Sequence, residues 1–129
     1  MRIAGIDHIV LLVTDIERMI SFYSEVLGCQ VVHRQDAIGL VHLKAGASLI
    51  DLVDRAGTLG ARNPGAAGPG QNLDHICLRV EAFDADAVRA ELARCGVESD
   101  PPAARYGFAG YDQTIYLRDA EGNGIELRG

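Results

Sequence analysis

Two histidines stand at the same place in a repeated seven-residue pattern, D-H-I-x-L-x-V. The pattern occurs near the start of the chain, where it contains His8, and again in the middle, where it contains His75. An acid flanked by aliphatic residues follows each copy, Asp51 after the first and Glu126 after the second. Two imidazoles with one or two carboxylates are a common ligand set for divalent iron, manganese, nickel, cobalt and zinc. The repeat therefore predicts a divalent metal site formed by these four side chains.

The alternative interpretation of a histidine in an apolar strand is structural, because most buried polar groups only satisfy a hydrogen bond. Packing, however, requires neither a histidine at the start of both halves nor an acid near the end of both. An acid such as Asp51, between aliphatic neighbours in a strand, is also costly to bury unless it is paired or bound to a metal. The duplication therefore favours the metal site.

The elements that must position these residues follow from the spacing of apolar side chains. The first copy of the pattern is rich in β-branched and aliphatic residues and predicts a strand. A helix is predicted over residues 15–27, with Thr14 and Glu17 spaced as a capping box and Gly28 at its end. Three short strands are predicted to follow, and the last of them carries Asp51.

The second half repeats this plan. A helix is predicted over residues 83–95, capped by Asp84, and a further strand is predicted to begin at Val97. The segment from Tyr106 to Tyr111 reads as a glycine-aromatic loop and a candidate pocket wall. Each half is thus β-α-β-β-β, which predicts an α+β fold built from two paired modules.

The 129 residues suit one domain. We expect module 1 at about 1–56, a Gly/Pro/Ala-rich linker at about 57–72, and module 2 at about 73–129.

Composition excludes several classes of function. The formal net charge is -6 and no Lys/Arg cluster occurs, so a nucleic acid partner is not expected. No apolar run is long enough to cross a membrane. The three cysteines lack C-x-x-C spacing, which favours reduced thiols in a cytoplasmic protein over a disulfide framework.

The chain resembles the vicinal oxygen chelate superfamily, which includes glyoxalase I, extradiol dioxygenases, fosfomycin-resistance enzymes, methylmalonyl-CoA epimerase and bleomycin-binding proteins. The resemblance rests on D-H-I-V-L-L-V-T-D, F-Y-S-E-V-L-G, D-H-I-C-L-R-V and I-Y-L-R-D-A-E-G-N-G-I-E-L. It implies two paired βαβββ modules forming a cupped mixed sheet around a metal site, and a homodimer. It also implies that His8, His75 and Glu126 fall on metal-ligand positions, and that Asp51 falls on the fourth position, which is usually Glu or Gln.

The activity implied by the resemblance is that of a divalent-metal-dependent enzyme acting on a small oxygenated metabolite. The foremost reading is a glyoxalase I-like lyase or isomerase, with a metal-stabilised enediolate and Glu126 or Asp51 as the carboxylate base. The metal would be nickel, zinc, manganese, iron or cobalt. Leu12 departs from this reading, because glyoxalases that use glutathione usually carry an arginine there.

Three other readings remain open. They are an Fe(II) extradiol-type dioxygenase, a fosfomycin-resistance-type enzyme and a metal-free bleomycin-resistance-type binding protein. For the fosfomycin-resistance type, Thr114 and Tyr116 resemble the Ser/Thr-x-Tyr motif. The candidate substrate-binding residues are Arg79, Tyr106, Tyr111, Thr114, Tyr116 and His42. Arg79 shares a strand face with His75, where it could meet an anionic group.

Overall fold

The structure is a computed structural model that describes residues 6–62, 75–107 and 109–129. The chain divides into two compact units, Met1–Gly68 and Pro69–Gly129. The division falls inside the predicted linker, most of which lies outside the described residues. The expectation of a single domain stays a prediction.

The described part of the first unit is a βαβββ module with a mixed sheet. Its elements are β1 His8–Val13, α1 Ile16–Ser21, β2 Gln30–Gln35, β3 Leu40–Ala45 and β4 Ser48–Asp54. The strands lie in the order β1-β4-β3-β2, with β1 parallel to β4 and the other neighbours antiparallel.

The start of α1 differs from the predicted capping box. Asp15, and not Thr14, is the N-cap: its carboxylate accepts a hydrogen bond from the backbone N–H of Arg18 at 3.0 Å. Asp15 has the extended backbone typical of a cap, so its short side chain can fold back on the first turn.

The predicted helix over residues 15–27 is also wrong in the type of its last turn. The α-helix gives way to a π-helical turn at Phe22–Val26. Phe22 and Tyr23 are both buried within this wider turn although they are adjacent in sequence. Gly28 then takes a positive φ of 69°, as expected of a residue that ends a helix.

The described part of the second unit is the other βαβββ module. Its elements are β5 His75–Arg79, α2 Ala85–Arg94, β6 Ala103–Gly107, β7 Gly110–Arg118 and β8 Gly124–Arg128. The strand order is β5-β8-β7-β6, with β5 parallel to β8 and the others antiparallel. The predicted α+β fold class is therefore confirmed.

Two predictions for the second unit fare differently. Asp84 is the N-cap of α2 as expected, accepting a hydrogen bond from the backbone N–H of Ala87 at 2.9 Å. The strand predicted from Val97 is wrong, because this region makes only an isolated bridge between Ser99 and Leu117. The two prolines that follow have no N–H to donate, and the regular strand begins only after them.

In each unit one face of the sheet is apolar and packs under its helix. The first core contains Leu11, Val13, Met19, Val41, Leu43, Ile50 and Leu52, and the second contains Leu92, Ile115, Leu117, Ile125 and Leu127. Because side chains alternate along a strand, the residues between these core positions project from the opposite face. That opposite face carries the predicted metal ligands. No helix within the described ranges is long and apolar enough to cross a membrane.

Candidate metal centre

Three chemically active side chains project from the same face of the first sheet. Asp51 on β4 lies opposite Val10 on β1 and opposite His42 on β3. His8 stands two residues before Val10, so it shares this face. His8, His42 and Asp51 therefore form the polar centre of the first unit.

The second sheet repeats the arrangement in the same register. Glu126 on β8 lies opposite Cys77 on β5 and opposite Tyr116 on β7. His75 stands two residues before Cys77, as His8 does before its counterpart. Position by position, Tyr116 is therefore the counterpart of the histidine on β3 of the first sheet.

A histidine-carboxylate pair lies at the centre of the second unit. The Nε2 atom of His75 is 3.0 Å from Oε2 of Glu126. Glu126 is 6% exposed, and its other oxygen, Oε1, has no hydrogen-bond partner of good geometry among the described residues. The ring of Tyr116 packs edge-on against His75, with 5.4 Å between the ring centroids.

The surroundings of Glu126 favour its ionised form. Burial alone would raise the pKa of this carboxyl, but the nearby hydroxyls of Thr114 and Tyr116 and the charges of His75 and Arg128 outweigh it. The pKa therefore lies below its ordinary value. The Thr114 hydroxyl is close enough to act on the carboxylate, although it too lacks a hydrogen bond of good geometry. Glu126 is thus an ionised carboxylate, whose oxygens can accept hydrogen bonds or bind a metal ion.

The two groups opposite Glu126 are held in their protonated forms. Burial, and then the hydrogen bond to Glu126, raises the pKa of Tyr116. Burial, and then the negative charge of Glu126, raises the pKa of the Cys77 thiol. Tyr116 is therefore a hydrogen-bond donor, and the Cys77 thiol is poorly suited to bind a metal, because the thiolate is the ligand form.

Arg128 also contributes to the positive charge near Glu126. It is 5% exposed, and its Nη2 donates a hydrogen bond to the backbone oxygen of Gly110 at 2.9 Å. Its guanidinium lies directly against Gly107. The two-residue period of a strand places Arg128 on the face of Glu126, because it stands two residues after that acid.

In the first unit the two histidines have different carboxylate partners. Nδ1 of His8 is 2.7 Å from Oδ1 of Asp7, and this hydrogen bond, with a smaller contribution from Asp51, raises the pKa of His8. Nδ1 of His42 is 2.8 Å from Oδ1 of Asp51, which is 5% exposed. The sequence reasoning missed this second contact, because it treated Asp51 as a metal ligand.

Not all of the predicted substrate-binding residues face Glu126. Arg79, Thr114 and Tyr116 share its face by strand alternation, although Thr114 is fully buried. Tyr106 and Tyr111 project from the opposite face. They are 74% and 79% exposed and pack edge-on against each other at 5.4 Å. The structure therefore does not bring these two tyrosines to the carboxylate.

The donor chemistry of His75 and Glu126 fits two ligands of a divalent ion. Nitrogen and oxygen ligands lie about 2.0–2.2 Å from zinc, so two ligands of one tetrahedral ion are roughly 3.4 Å apart. The 3.0 Å between Nε2 and Oε2 is the length of a direct hydrogen bond or ion pair, and it leaves the two atoms near that separation. The described ranges contain no group of three or more His, Cys, Asp or Glu side chains placed to hold a metal. The pair thus offers two atoms that could bind one ion.

A family model for the glyoxalase/bleomycin resistance protein/dioxygenase superfamily matches residues 5–127. The chain belongs to this superfamily. The virulence protein STM3117 of Salmonella typhimurium is 33% identical to it, over 98% of this chain and 85% of the relative. The crystal structure of STM3117 superposes with a TM-score of 0.81, covering 98% of this chain and 97% of that one.

Two other solved structures share the fold at lower identity. Lactoylglutathione lyase from Agrobacterium tumefaciens is 20% identical, with a TM-score of 0.70 over 96% of this chain and 92% of that one. The fosfomycin resistance protein FosX from Mesorhizobium loti is 21% identical, with a TM-score of 0.66 over 98% of this chain and 92% of that one. At this identity the likeness shows the fold alone.

Proposed function

We propose that the protein is a divalent-metal-dependent enzyme that acts on a small oxygenated metabolite. The observation that carries the proposal is the His75–Glu126 pair, with 3.0 Å between Nε2 and Oε2. Oε1 of the same carboxylate is buried without a good partner among the described residues. A buried, ionised carboxylate with one poorly paired oxygen is costly, and a cation would offset that cost.

His8 is the ligand proposed from the first unit. Its Nδ1 is held by Asp7, which leaves Nε2 as the free ring nitrogen. Metal-binding histidines commonly donate their other ring N–H to a carboxylate in this way, because the contact fixes the ring and its tautomer. With His75 and Glu126, the set that the family resemblance implies is two imidazoles and one carboxylate. Nickel, zinc, manganese, iron and cobalt all accept it.

The reaction we propose is a glyoxalase-type proton transfer between neighbouring carbons of a carbonyl compound. The bound metal would supply Lewis-acid stabilisation of the negative charge that develops on oxygen. Tyr116, protonated and next to Glu126, would donate a hydrogen bond to an oxygen of the substrate. Arg79 is exposed on the same face and would attract an anionic group.

A fosfomycin-resistance-type reaction is the second candidate, and one contact favours it. The side chain of Arg105 interacts with the hydroxyl of Tyr116, so a cation and a phenol stand together beside Glu126. Such a pair suits a phosphonate or phosphate group. Thr114, the other residue of the motif, is fully buried and better suited to supporting Glu126 than to touching a substrate.

The proposal is tested by measuring bound metal and turnover. Wild-type protein, stripped and then reconstituted with each of the five metals, should retain about one ion per chain. His75→Ala should lose it, and His33→Ala, which removes an exposed imidazole outside the proposed set, should not. Wild-type protein that binds none of the metals would overturn the proposal. Ligand binding without metal would then support the binding-protein reading.

Turnover separates the candidate reactions. Conversion of the hemithioacetal of methylglyoxal with glutathione or smaller thiols supports the glyoxalase type, and consumption of fosfomycin supports the second candidate. Oxygen-dependent cleavage of a catechol by the iron form would instead support a dioxygenase. Light scattering tests the homodimer that we propose from the family resemblance.

A further inference from the structure

The carboxylate of Asp51 makes its hydrogen bond with a histidine that the family resemblance does not account for. Asp51 and His42 are directly opposite each other on β4 and β3, and their Oδ1 and Nδ1 atoms are 2.8 Å apart. Asp51 is buried, and the side chain of His42 is 18% exposed. A buried carboxylate thus holds one end of an imidazole whose other end is near the surface.

The tautomer of His42 follows from its contact with Asp51. The carboxylate oxygen of Asp51 accepts a hydrogen bond, so the ring proton sits on Nδ1, 2.8 Å away, and the lone pair is on Nε2. Nε2 lies 3.2 Å from the side-chain amide of Gln35, which can donate to that lone pair. The ring is held in one tautomer. Its lone pair on Nε2 points at the exposed side-chain amide of Gln35, which a substrate could displace.

A strand irregularity adds a second support. The register of β2 and β3 pairs Val31 with Leu43 and then His33 with His42, so a bulge lies between Val31 and His33. Without it Val32 would face His42. Bulges commonly re-aim a side chain in this way. Here the bulge stacks His33 on His42, with 5.6 Å between the ring centroids.

The second unit has different side chains at the two positions equivalent to His42 and Asp51. Tyr116 occupies the place of His42, and Glu126 the place of Asp51. There the carboxylate lies 3.0 Å from His75 on the neighbouring strand. In the first unit the shorter carboxylate of Asp51 contacts His42 on β3 instead. In this chain, therefore, the acid at the family's fourth ligand position holds an imidazole.

We propose that Asp51 is a positioning residue for His42, and not a metal ligand, and that His42 transfers the proton in the reaction. This inference rests on the proposed function. Nε2 takes the proton from the hydroxyl-bearing carbon next to the substrate carbonyl. The electron pair of that C–H bond forms a carbon–carbon double bond, and the π pair of the carbonyl moves to its oxygen. Asp51 stabilises the imidazolium, which returns the proton to the former carbonyl carbon. The hydroxyl proton passes to the other oxygen as the new carbonyl forms, so the reaction is redox-neutral and needs no co-reactant.

Four variants and one spectrum test the assignment. In metal-free protein labelled with ¹⁵N-histidine, His42 should show a protonated Nδ1 and a bare Nε2. Asp51→Asn should lose this tautomer, and His33→Gln should keep it. Asp51→Asn and His42→Gln should each lower turnover of the methylglyoxal hemithioacetal by about 10²–10⁴-fold. The double variant should be no slower than the slower single variant.

Metal affinity distinguishes a positioning residue from a ligand. Asp51→Asn and His42→Gln should weaken metal binding by less than about tenfold, whereas His75→Ala should weaken it by more than about 100-fold. A loss in Asp51→Asn as large as that in His75→Ala would make Asp51 a ligand and overturn the inference. A proton on Nε2 of His42, or additive losses of turnover, would also overturn it. If wild-type protein binds no metal the proposed function fails, and the His42 tautomer still decides whether Asp51 positions the ring.

Discussion

Replacing Gly107 with alanine should destabilise the second unit through one neighbour, Arg128. A Cβ atom on Gly107 would collide with Nη1 and Cζ of Arg128. Arg128 is 5% exposed, so its guanidinium has little room to retreat. Moving it would break the 2.9 Å hydrogen bond from Nη2 to the backbone oxygen of Gly110.

The magnitude follows from that bond. A hydrogen bond from a charged donor contributes about 1.5–3 kcal/mol, and more is lost if the buried group is left without a partner. Gly107 is not among the residues with positive φ, so alanine adds no backbone strain there. We therefore expect Gly107→Ala to lower the free energy of unfolding by about 1.5–3 kcal/mol.

Urea denaturation of metal-free protein, followed by far-UV circular dichroism at neutral pH, measures this loss. The control is the same substitution in an Arg128→Met background, where the collision partner is absent and the cost should fall below about 0.5 kcal/mol. Carbon-detected titration of Glu126 gives a second readout, because displacing the guanidinium should raise the pKa of that carboxyl. An equal cost in both backgrounds, or none in either, would refute the reasoning.

Two further predictions concern single groups. Glu126→Gln should weaken metal binding more than about 100-fold. The lowered pKa of Glu126 also means that its ionised form stabilises the fold above the ordinary value of 4.5, so metal-free Glu126→Gln should be less stable than wild type at neutral pH. That gap should close as the pH falls through the folded-state pKa, and a gap that is constant with pH would contradict this. Burial raises the pKa of Cys29 above its ordinary value of 9.0, so its stabilising contribution is complete below pH 9.0 and declines as the pH rises through the raised value. Iodoacetamide should accordingly modify Cys29 more slowly than the exposed Cys95, and Cys29→Ala should flatten the alkaline loss of stability.

The sequence was sufficient for the module order and for the shared face of the repeated residues. The D-H-I-x-L-x-V pattern has the period of a strand, and Gly28 and Gly96 mark the helix ends through their positive φ of 69° and 72°. These features are local, because a few neighbouring residues determine them. The two modules and the α+β class could therefore be predicted.

What could not be predicted depends on pairing between distant segments. The contact of His42 with Asp51 requires the register of β3 on β4, and the stacking of His33 requires the bulge in β2. The placement of Tyr106 and Tyr111 depends in the same way on which face of a hairpin each strand presents. A one-residue change of register reverses every such assignment, and a single sequence does not fix it.

The two carboxylates occupy equivalent positions and differ by one methylene, and this difference accounts for their partners. Across an antiparallel pair such as β3 and β4, a residue directly opposite has its Cβ about 4.5–5.5 Å away, which is closer than any diagonal neighbour. Asp51 is short, and it bonds the directly opposite His42. Glu126 is longer, and it reaches the diagonal His75. One copy of the module thus pairs its acid with the imidazole of His42, and the other pairs its acid with the proposed ligand His75. Under the two proposals, the copies of one motif divide proton transfer and metal binding between them.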